Sequence, residues 1–471
     1  MRDCRAAIGR DERKKRQTKQ DGESLSQSKV VVFDNTIHLH DLTPIILWPR
    51  MIELGLSRIA RLLQHSSLPW PAIHVAGTNG KGSITGYLSA LLTAAGVRCG
   101  SFTSPHLVDR WDCITINERV VQESVFRRIE AEVKRRNHSL GIGATEFELL
   151  TATAFEIFSH EKVDVGVVEV GMGGRLDSTN ILTNVLVSII AKIGYDHQAM
   201  LGDTIQKIAR EKAGIMKPAV PCVVDETNDP EVQEVLETAA KESHTSVSFV
   251  GAEVIKNAFP ELSRVFDELN VPPHQQANLS CAIAALQKAL PQIRPELSLP
   301  ALFPHIPRIP RPGRLHELQL QPLIPRKEPV LLDGAHNPQS AGVLGSYVDR
   351  NLRKPDTSVT WVIAASQGKN VKELFGCMIK PGDNVAVLEF GPVDGMPWVR
   401  SVETSALLST VRSLPGIGQS EGFGNDILSG LKWANKISTD GPLVIAGSLY
   451  LVSDILRLLR ESSRTSRTPS A

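Results

Sequence analysis

His74-Val75-Ala76-Gly77-Thr78-Asn79-Gly80-Lys81-Gly82-Ser83 lies between an apolar run, Ala72 to Ala76, and a helical pattern, Ile84 to Ala95. Glycines let the backbone wrap closely around an anion, because they take up angles that a Cβ forbids. The exposed N–H groups and the helix N-terminus that follows attract phosphate. Lys81 is placed to reach β/γ-phosphates and Ser83 to hold Mg²⁺. The spacing departs from the usual G-x-x-x-x-G-K-[ST], because Gly82 separates the lysine from the serine. This is a variant phosphate loop joining a strand to a helix.

Working outward, short apolar strands alternate with helices from Ala72 to about Leu290. The strands are expected at Ala72–Ala76, Val97–Phe102, Val165–Val170, Leu186–Ile190 and Val220–Val224, with helices at Gly82–Ala95, Phe147–Ser159 and Ile205–Ala213. Such alternation implies a mostly parallel sheet with helices on both faces. Ligands then bind beyond the carboxyl ends of the strands. Gly77–Ser83, Glu169–Asp177 and Tyr195–His197 all fall at those ends. Seven prolines between Pro291 and Pro312 mark an extended, semi-rigid linker. Beyond it the pattern resumes, with strands at Val330–Leu332, Val359–Ala364, Val385–Glu389 and Leu443–Ala446 and helices at Gln339–Asn351 and Val452–Arg460. The expected organisation is an extension over 1–50, a phosphate-loop domain over 51–295, a linker over 296–312, a second, smaller α/β domain over 313–462 and a polar tail over 463–471.

Composition is consistent with a globular enzyme. The chain has 471 residues, 42% hydrophobic and 22% charged, with a formal net charge of +1. That balance gives no electrostatic reason to expect a nucleic-acid or membrane partner. No apolar run approaches the roughly 18–20 residues that span a bilayer. The six cysteines are scattered without a C-x-x-C pair and read as reduced thiols of an intracellular protein. Residues 1–29 are too polar to offset their ordering entropy. Asp3, Asp11, Glu12, Asp21 and Glu23 argue against a mitochondrial presequence, so a cytoplasmic location is the default.

Several polar clusters stand where plain loops are expected. Glu169 ends a strand beside the phosphate loop, where a carboxylate suits Mg²⁺; a surface turn is the ordinary alternative. His197, in Gly194-Tyr195-Asp196-His197, reads as a ligand or as a solvent-exposed ring. Lys212, in Arg210-Glu211-Lys212-Ala213-Gly214, reads as a functional amine or as a solvated helix lysine. Asp333-Gly334-Ala335-His336-Asn337-Pro338 follows a strand and opens a helix, so Asp333 or Asn337 could simply be a cap.

Taken together, nine motifs stand in the order seen in one family. They are His74–Ser83, Thr103–Leu107, Glu169–Asn180, Asp196-His197, Glu211–Lys217, His274-Gln275-x-x-Asn278, Pro312-Gly313-Arg314, Asp333–Asn337 and Gly447–Tyr450. The chain resembles the folylpolyglutamate synthase/dihydrofolate synthase family, which belongs with the Mur ligases, over about residues 51–462. The resemblance implies a Mur-ligase-like α/β fold and an ATP-dependent amide ligase working through an acyl phosphate. It implies that Gly77, Thr78, Asn79, Gly80, Lys81, Gly82 and Ser83 bind phosphates. Ser83 and Glu169 would hold one Mg²⁺, and His197 with Glu169 a second. Lys212 matches a lysine carried as a carbamate. Asn278 and Asp333 match nucleotide contacts, and Arg314 and His336 match groups at the γ-phosphate. The second domain would close the ATP site across the linker and exclude water.

Two activities share this scaffold: addition of the first glutamate to dihydropteroate, and addition of later glutamates to reduced folates. Arg175-Leu176 after the glycines, Thr145–Thr151, Val393–Trp398 and Ile52–Ser57 resemble the dihydropteroate-using fungal members. Folylpolyglutamate or bifunctional activity is the alternative. Two departures stand out. Asp112-Cys113 replaces the family's Glu-Arg, so a substrate-side arginine is missing. Gly368-Lys369-Asn370 replaces Asp-Lys-Asp, leaving Lys369 as a candidate for glutamate binding. A phosphate-loop kinase or nucleotide switch would explain Lys81, Ser83 and Glu169 but not Lys212, His197 or Asp333–Asn337. The expected partners are the small molecules dihydropteroate or folate, L-glutamate and ATP, taken up by a monomer.

Overall fold

Five- and six-residue runs that are almost entirely buried form the middle of the first sheet, because central parallel strands are covered on both faces. A computed structural model of the protein describes residues 55–306, 312–355 and 357–465. The expected extension over 1–50 lies outside the described residues. The strands of the first sheet are β1 (Ala72–Ala76), β2 (Cys99–Phe102), β3 (Ile114–Ile116), β4 (Arg119–Val120), β5 (Val165–Glu169), β6 (Val185–Ile190), β7 (Cys222–Asp225) and β8 (Val247–Val250). Their order is β4-β3-β2-β5-β1-β6-β7-β8. The pairs are parallel except where the hairpin β3–β4 runs antiparallel beside β2.

Helices Lys81–Ala94 and Pro273–Ile293 cover one face, burying Ile84, Leu88, Leu91, Leu279, Ile283 and Leu286 in one cluster. Helix Glu146–His160 covers the other, with Leu149, Phe155 and Phe158. It begins with a capping box in which Thr145 accepts from Glu148 N–H and the Glu148 carboxylate accepts from Thr145 N–H.

The second sheet contains β9 (His316–Leu318), β10 (Val330–Leu332), β11 (Thr360–Ile363), β12 (Asn384–Val387), β13 (Ser420–Gly422) and β14 (Leu443–Ala446), ordered β13-β12-β11-β14-β10-β9. Only β9 is antiparallel to its neighbour. Helix Pro338–Asn351 follows β10, and helix Leu449–Thr465 follows β14.

Two boundaries differ from expectation. Pro291 lies inside helix Pro273–Ile293, and Leu299–His305 forms a 3₁₀ helix. Leu299, Leu302, Phe303 and Ile306 recur every three to four residues, and they bury in the same cluster as helix Lys81–Ala94. The first half of the expected linker is therefore part of the first sheet's core. Residues 307–311 lie outside the described ones. The expected tail also starts late, since helix Leu449–Thr465 runs through residues 463–465.

Candidate active site

The carboxyl ends of β1, β5 and β6 bring three motifs together because these strands are neighbours. In the β1–β5 register Val75 stands opposite Glu169. The phosphate loop is pinned from one side, where Thr78 and Asn79 donate their N–H groups to Lys192 O at 2.9 and 3.1 Å. The Thr78 hydroxyl donates to Gly194 O and accepts from Gly194 N–H, both at 3.0 Å. Thr78 and Asn79 thus hold the loop's shape through contacts within the protein.

Helix Lys81–Ala94 starts at Gly80, whose φ is +93° and which provides no side-chain cap. Its first N–H groups are therefore open to an anion or to water. Asn278 Oδ1 occupies the space a side chain at Gly80 would need, only 2.2 Å from an added Cβ. Gly80→Ala combines a left-handed backbone with that clash. It is expected to cost about 1–3 kcal/mol of stability and to weaken ATP binding. Gly342→Ala has open space around it in helix Pro338–Asn351 and should leave both unchanged or gain slightly. Thermal melts with and without ATP check the pair.

Lys81 Nζ lies 3.3 Å from Thr78 O and 3.7 Å from Glu169 Oε1. Ser83 Oγ accepts from Gln275 Nε2 at 3.3 Å, and Gln275 Oε1 accepts from Asn278 Nδ2 at 3.4 Å. Gln275 had no role assigned from the sequence. Its signal was the position three residues before Asn278, one helical turn away on the same face. A Mg²⁺ ion fits this donor set. Ser83 keeps a lone pair, and Glu169 is a buried carboxylate at the strand end. His197 starts the short helix Gln198–Leu201 at φ +52°, with its N–H on Asp196 Oδ1 at 2.8 Å. Its side chain is about half exposed, as the solvent-exposed alternative allows. Desolvation at the cleft, ahead of the surrounding charges, lowers its pKa, and the imidazole can offer a lone pair at neutral pH. No three His, Cys, Asp or Glu side chains converge as a metal cluster among the described residues. A metal held by Ser83, Glu169 or His197 would need its remaining ligands from phosphate oxygens and water.

Lys212 is buried, not solvated. Helix Ile205–Ala213 turns Ile205, Ile208, Ala209, Lys212 and Ala213 inward, and Lys212 Nζ donates to Gly77 O at 2.8 Å. Burial first, then the charge of Lys81, lowers its pKa to about 7. A substantial fraction of this amine is neutral at physiological pH.

The second sheet completes the cleft. Asn337 caps helix Pro338–Asn351, and its Nδ2 donates to Asn79 Oδ1 at 3.1 Å; Asn79 Nδ2 donates to Gln339 Oε1. Asp333 accepts from Leu315 N–H and Ala335 N–H at 2.7 and 2.8 Å. Burial raises its pKa, opposed by the charge of Arg314. His336 Nδ1 meets Gly334 O at 2.8 Å, and its Nε2 stands 3.4 Å from Asp196 Oδ2. Lys369 also donates to Asp196. Burial of Asp196 favours its neutral form, but the His336 hydrogen bond and the charges of His197, His336 and Lys369 outweigh it, holding the carboxyl well below the usual range.

A cleft of about 1050 Å³ lies between the two sheets, with His197, Arg314, His336, Phe147, Leu176 and Asp177 among its lining. At the missing-arginine position, Cys113 is buried, and Asp112 accepts N–H groups of Leu107, Val108 and Asp109. From the same segment Arg110 reaches the cleft lining, paired with Glu130 at 2.8 Å and Glu146 at 3.0 Å.

Two family models match the chain. The dihydrofolate synthetase C-terminal domain covers residues 316–458, and the Mur ligase middle domain covers residues 75–285. A probable dihydrofolate synthetase of Schizosaccharomyces pombe is 36% identical over 420 residues, 87% of this chain and 99% of that one. The dihydrofolate synthetase of Saccharomyces cerevisiae is 34% identical over 421 residues, covering 86% and 98%. A bifunctional folylpolyglutamate synthase/dihydrofolate synthase, solved with Mn, AMPPNP and L-glutamate bound, aligns with a TM-score of 0.68 at 25% identity over 87% of this chain and 95% of that one.

Proposed function

The chain belongs to the folylpolyglutamate synthase/dihydrofolate synthase family of Mur-type ligases, and on that premise we propose how its cleft works. The reaction is the ATP-dependent joining of L-glutamate to 7,8-dihydropteroate, giving dihydrofolate, ADP and phosphate. A carboxylate oxygen of dihydropteroate attacks the γ-phosphorus of ATP, ADP leaves, and an acyl phosphate forms. The glutamate amine, having lost a proton, attacks the acyl carbon through a tetrahedral intermediate, and phosphate departs with that oxygen.

Bringing a carboxylate to a triphosphate requires cations. Lys81 and the first N–H groups of helix Lys81–Ala94 hold the β/γ-phosphates, with the loop from Gly77 to Ser83 around them. Arg314 and His336 approach the γ-phosphate from the second sheet, while Asn278 and Asp333 face the nucleoside. A divalent metal serves the family's site. We assign one Mg²⁺ to Ser83 and Glu169 and a second to His197 with Glu169. When bound, these ions neutralise phosphate charge. Lys212 adds CO₂ at Nζ and loses a proton, which turns the amine into an anionic acceptor on the metal side. Phe147 and Leu176 offer an apolar wall to the flat substrate.

The buried Lys212 amine against Gly77 O carries this reading. A kinase or nucleotide switch gives no reason to bury a second lysine, from helix Ile205–Ala213, against the phosphate loop. We take the working form as a cytoplasmic monomer; no helix among the described residues is long and apolar enough to cross a membrane.

The branch of the family is tested by kcat/KM for dihydropteroate against tetrahydrofolate monoglutamate, with glutamate, ATP and Mg²⁺ present. Preference for dihydropteroate is expected. Equal or faster use of the folate, with none of dihydropteroate, assigns the chain to polyglutamate addition instead.

A further inference from the structure

The segment Gly391–Arg400 carries the Val393–Trp398 motif that the mechanism above leaves unused. It is a built loop rather than a loose one. Gly391 N–H donates to Asp454 Oδ2 at 2.8 Å, and Tyr450 OH donates to Met396 Sδ at 3.6 Å. Val399 N–H closes a turn on Met396 O at 2.9 Å. The end of the loop is tied to the segment beyond β11. Gln367 N–H donates to Arg400 O at 2.9 Å, Val402 N–H to Ala365 O at 2.8 Å, and Ser366 bridges Ser401 in antiparallel fashion. Arg400 is thereby fixed by its backbone where β11 opens into the cleft, and like Trp398 it is exposed and lines that cleft.

Charge accounting in the cleft singles out this arginine. Five Arg or Lys side chains line it: Arg58, Arg110, Arg314, Lys369 and Arg400. Arg58 pairs with Glu148 at 2.9 Å, Arg110 with Glu130 and Glu146, and Lys369 with Asp196. Arg314 faces the charge of Asp333 beside Gly334. Among the described residues, no carboxylate forms an ion pair with Arg400. The reaction brings in an amino acid with two carboxylates. Its α-carboxylate sits beside the reacting amine. Its γ-carboxylate lies three bonds farther along the side chain and can reach toward the mouth.

We propose that Arg400 is the specificity residue that binds the γ-carboxylate of the incoming L-glutamate. The proposal rests on the ligase reading above. A guanidinium matches a carboxylate with two parallel N–H···O bonds, which an uncharged amide does not reproduce. Held on a loop of the second sheet, it selects glutamate over amino acids of the same length without the charge.

The test is a comparison of L-glutamate with L-glutamine as acceptor in wild type, Arg400→Gln and Arg400→Lys, using dihydropteroate, ATP and Mg²⁺. Arg400→Gln should lower kcat/KM for glutamate about 10- to 100-fold, mostly through KM. Its kcat/KM for glutamine should stay within about twofold, as should the KM values for ATP and dihydropteroate. Arg400→Lys should recover part of the loss. An unchanged glutamate KM overturns the proposal. So does an equal fall for both amino acids, or a matching rise in KM for ATP, which would place the guanidinium on phosphate. If the wild-type enzyme itself makes no glutamate-dependent product from dihydropteroate, the ligase reading fails before Arg400 is tested.

Discussion

Lys81→Ala is expected to lower kcat by about 10³-fold or more while leaving the fold intact. Lys81 Nζ sits over the phosphate loop, between Thr78 O at 3.3 Å and Glu169 Oε1 at 3.7 Å. Neither contact is a tight structural bond, so stability should change little. The ammonium is instead available to the charge that moves onto the β/γ-bridge as the acyl phosphate forms. Arginine should not restore the rate, because its planar head is larger and its charge more diffuse than an ammonium. A second consequence reaches Lys212. The Lys81 charge is, after burial, the next cause of the low Lys212 pKa. Removing it should move that pKa up toward the ordinary lysine value and reduce CO₂ uptake at neutral pH. Stopped-assay kinetics together with ¹³C-bicarbonate labelling read both effects. Near-normal turnover would remove Lys81 from the phosphate site.

Lys212→Ala is expected to lower kcat by about 10²-fold or more. The amine is buried against Gly77 O, and its pKa of about 7 sets the pH dependence. Below that pH the group is an ammonium without a lone pair, so it cannot add CO₂. Above it the neutral amine prevails and the carbamate can form. Activity should therefore rise with pH through about 7. Added bicarbonate should raise activity on the lower limb, and ¹³C label should appear on the wild-type chain but not on the variant. Short carboxylic acids should partly rescue Lys212→Ala by entering the space left by the side chain. Normal activity in the variant, or no bicarbonate effect, would leave Lys212 as a structural amine.

Much of this site could be read from the chain, for physical reasons that differ by element. β1, β10 and β14 fall where their largely apolar runs are bounded by proline before and by glycine or aspartate after. Lys212 sits on the inward stripe of Ile205, Ile208 and Ala209 at helical spacing, a sign of burial that reading it as a functional amine or a solvated helix lysine leaves unused. The β3–β4 hairpin was not expected. Its turn residues Asn117 and Glu118 both have positive φ, at 49° and 63°, without the Asn-Gly signature such turns favour. The proline cluster misled for another reason: spacing of Leu299, Leu302, Phe303 and Ile306 outweighed the prolines and drew the segment into the core. Contacts such as Asn79 with Asn337 and Asp196 with Lys369 join residues more than 150 apart, and no local pattern encodes them.

The central claim is that ATP activates the dihydropteroate carboxylate for attack by glutamate. The most direct measurement uses dihydropteroate labelled with ¹⁸O in that carboxylate, with glutamate, ATP and Mg²⁺, followed by mass analysis of the phosphate released. One ¹⁸O per phosphate formed, with equal amounts of ADP and dihydrofolate, is the expected result. Phosphate free of label, or ADP formed without any need for glutamate and dihydropteroate, would contradict it.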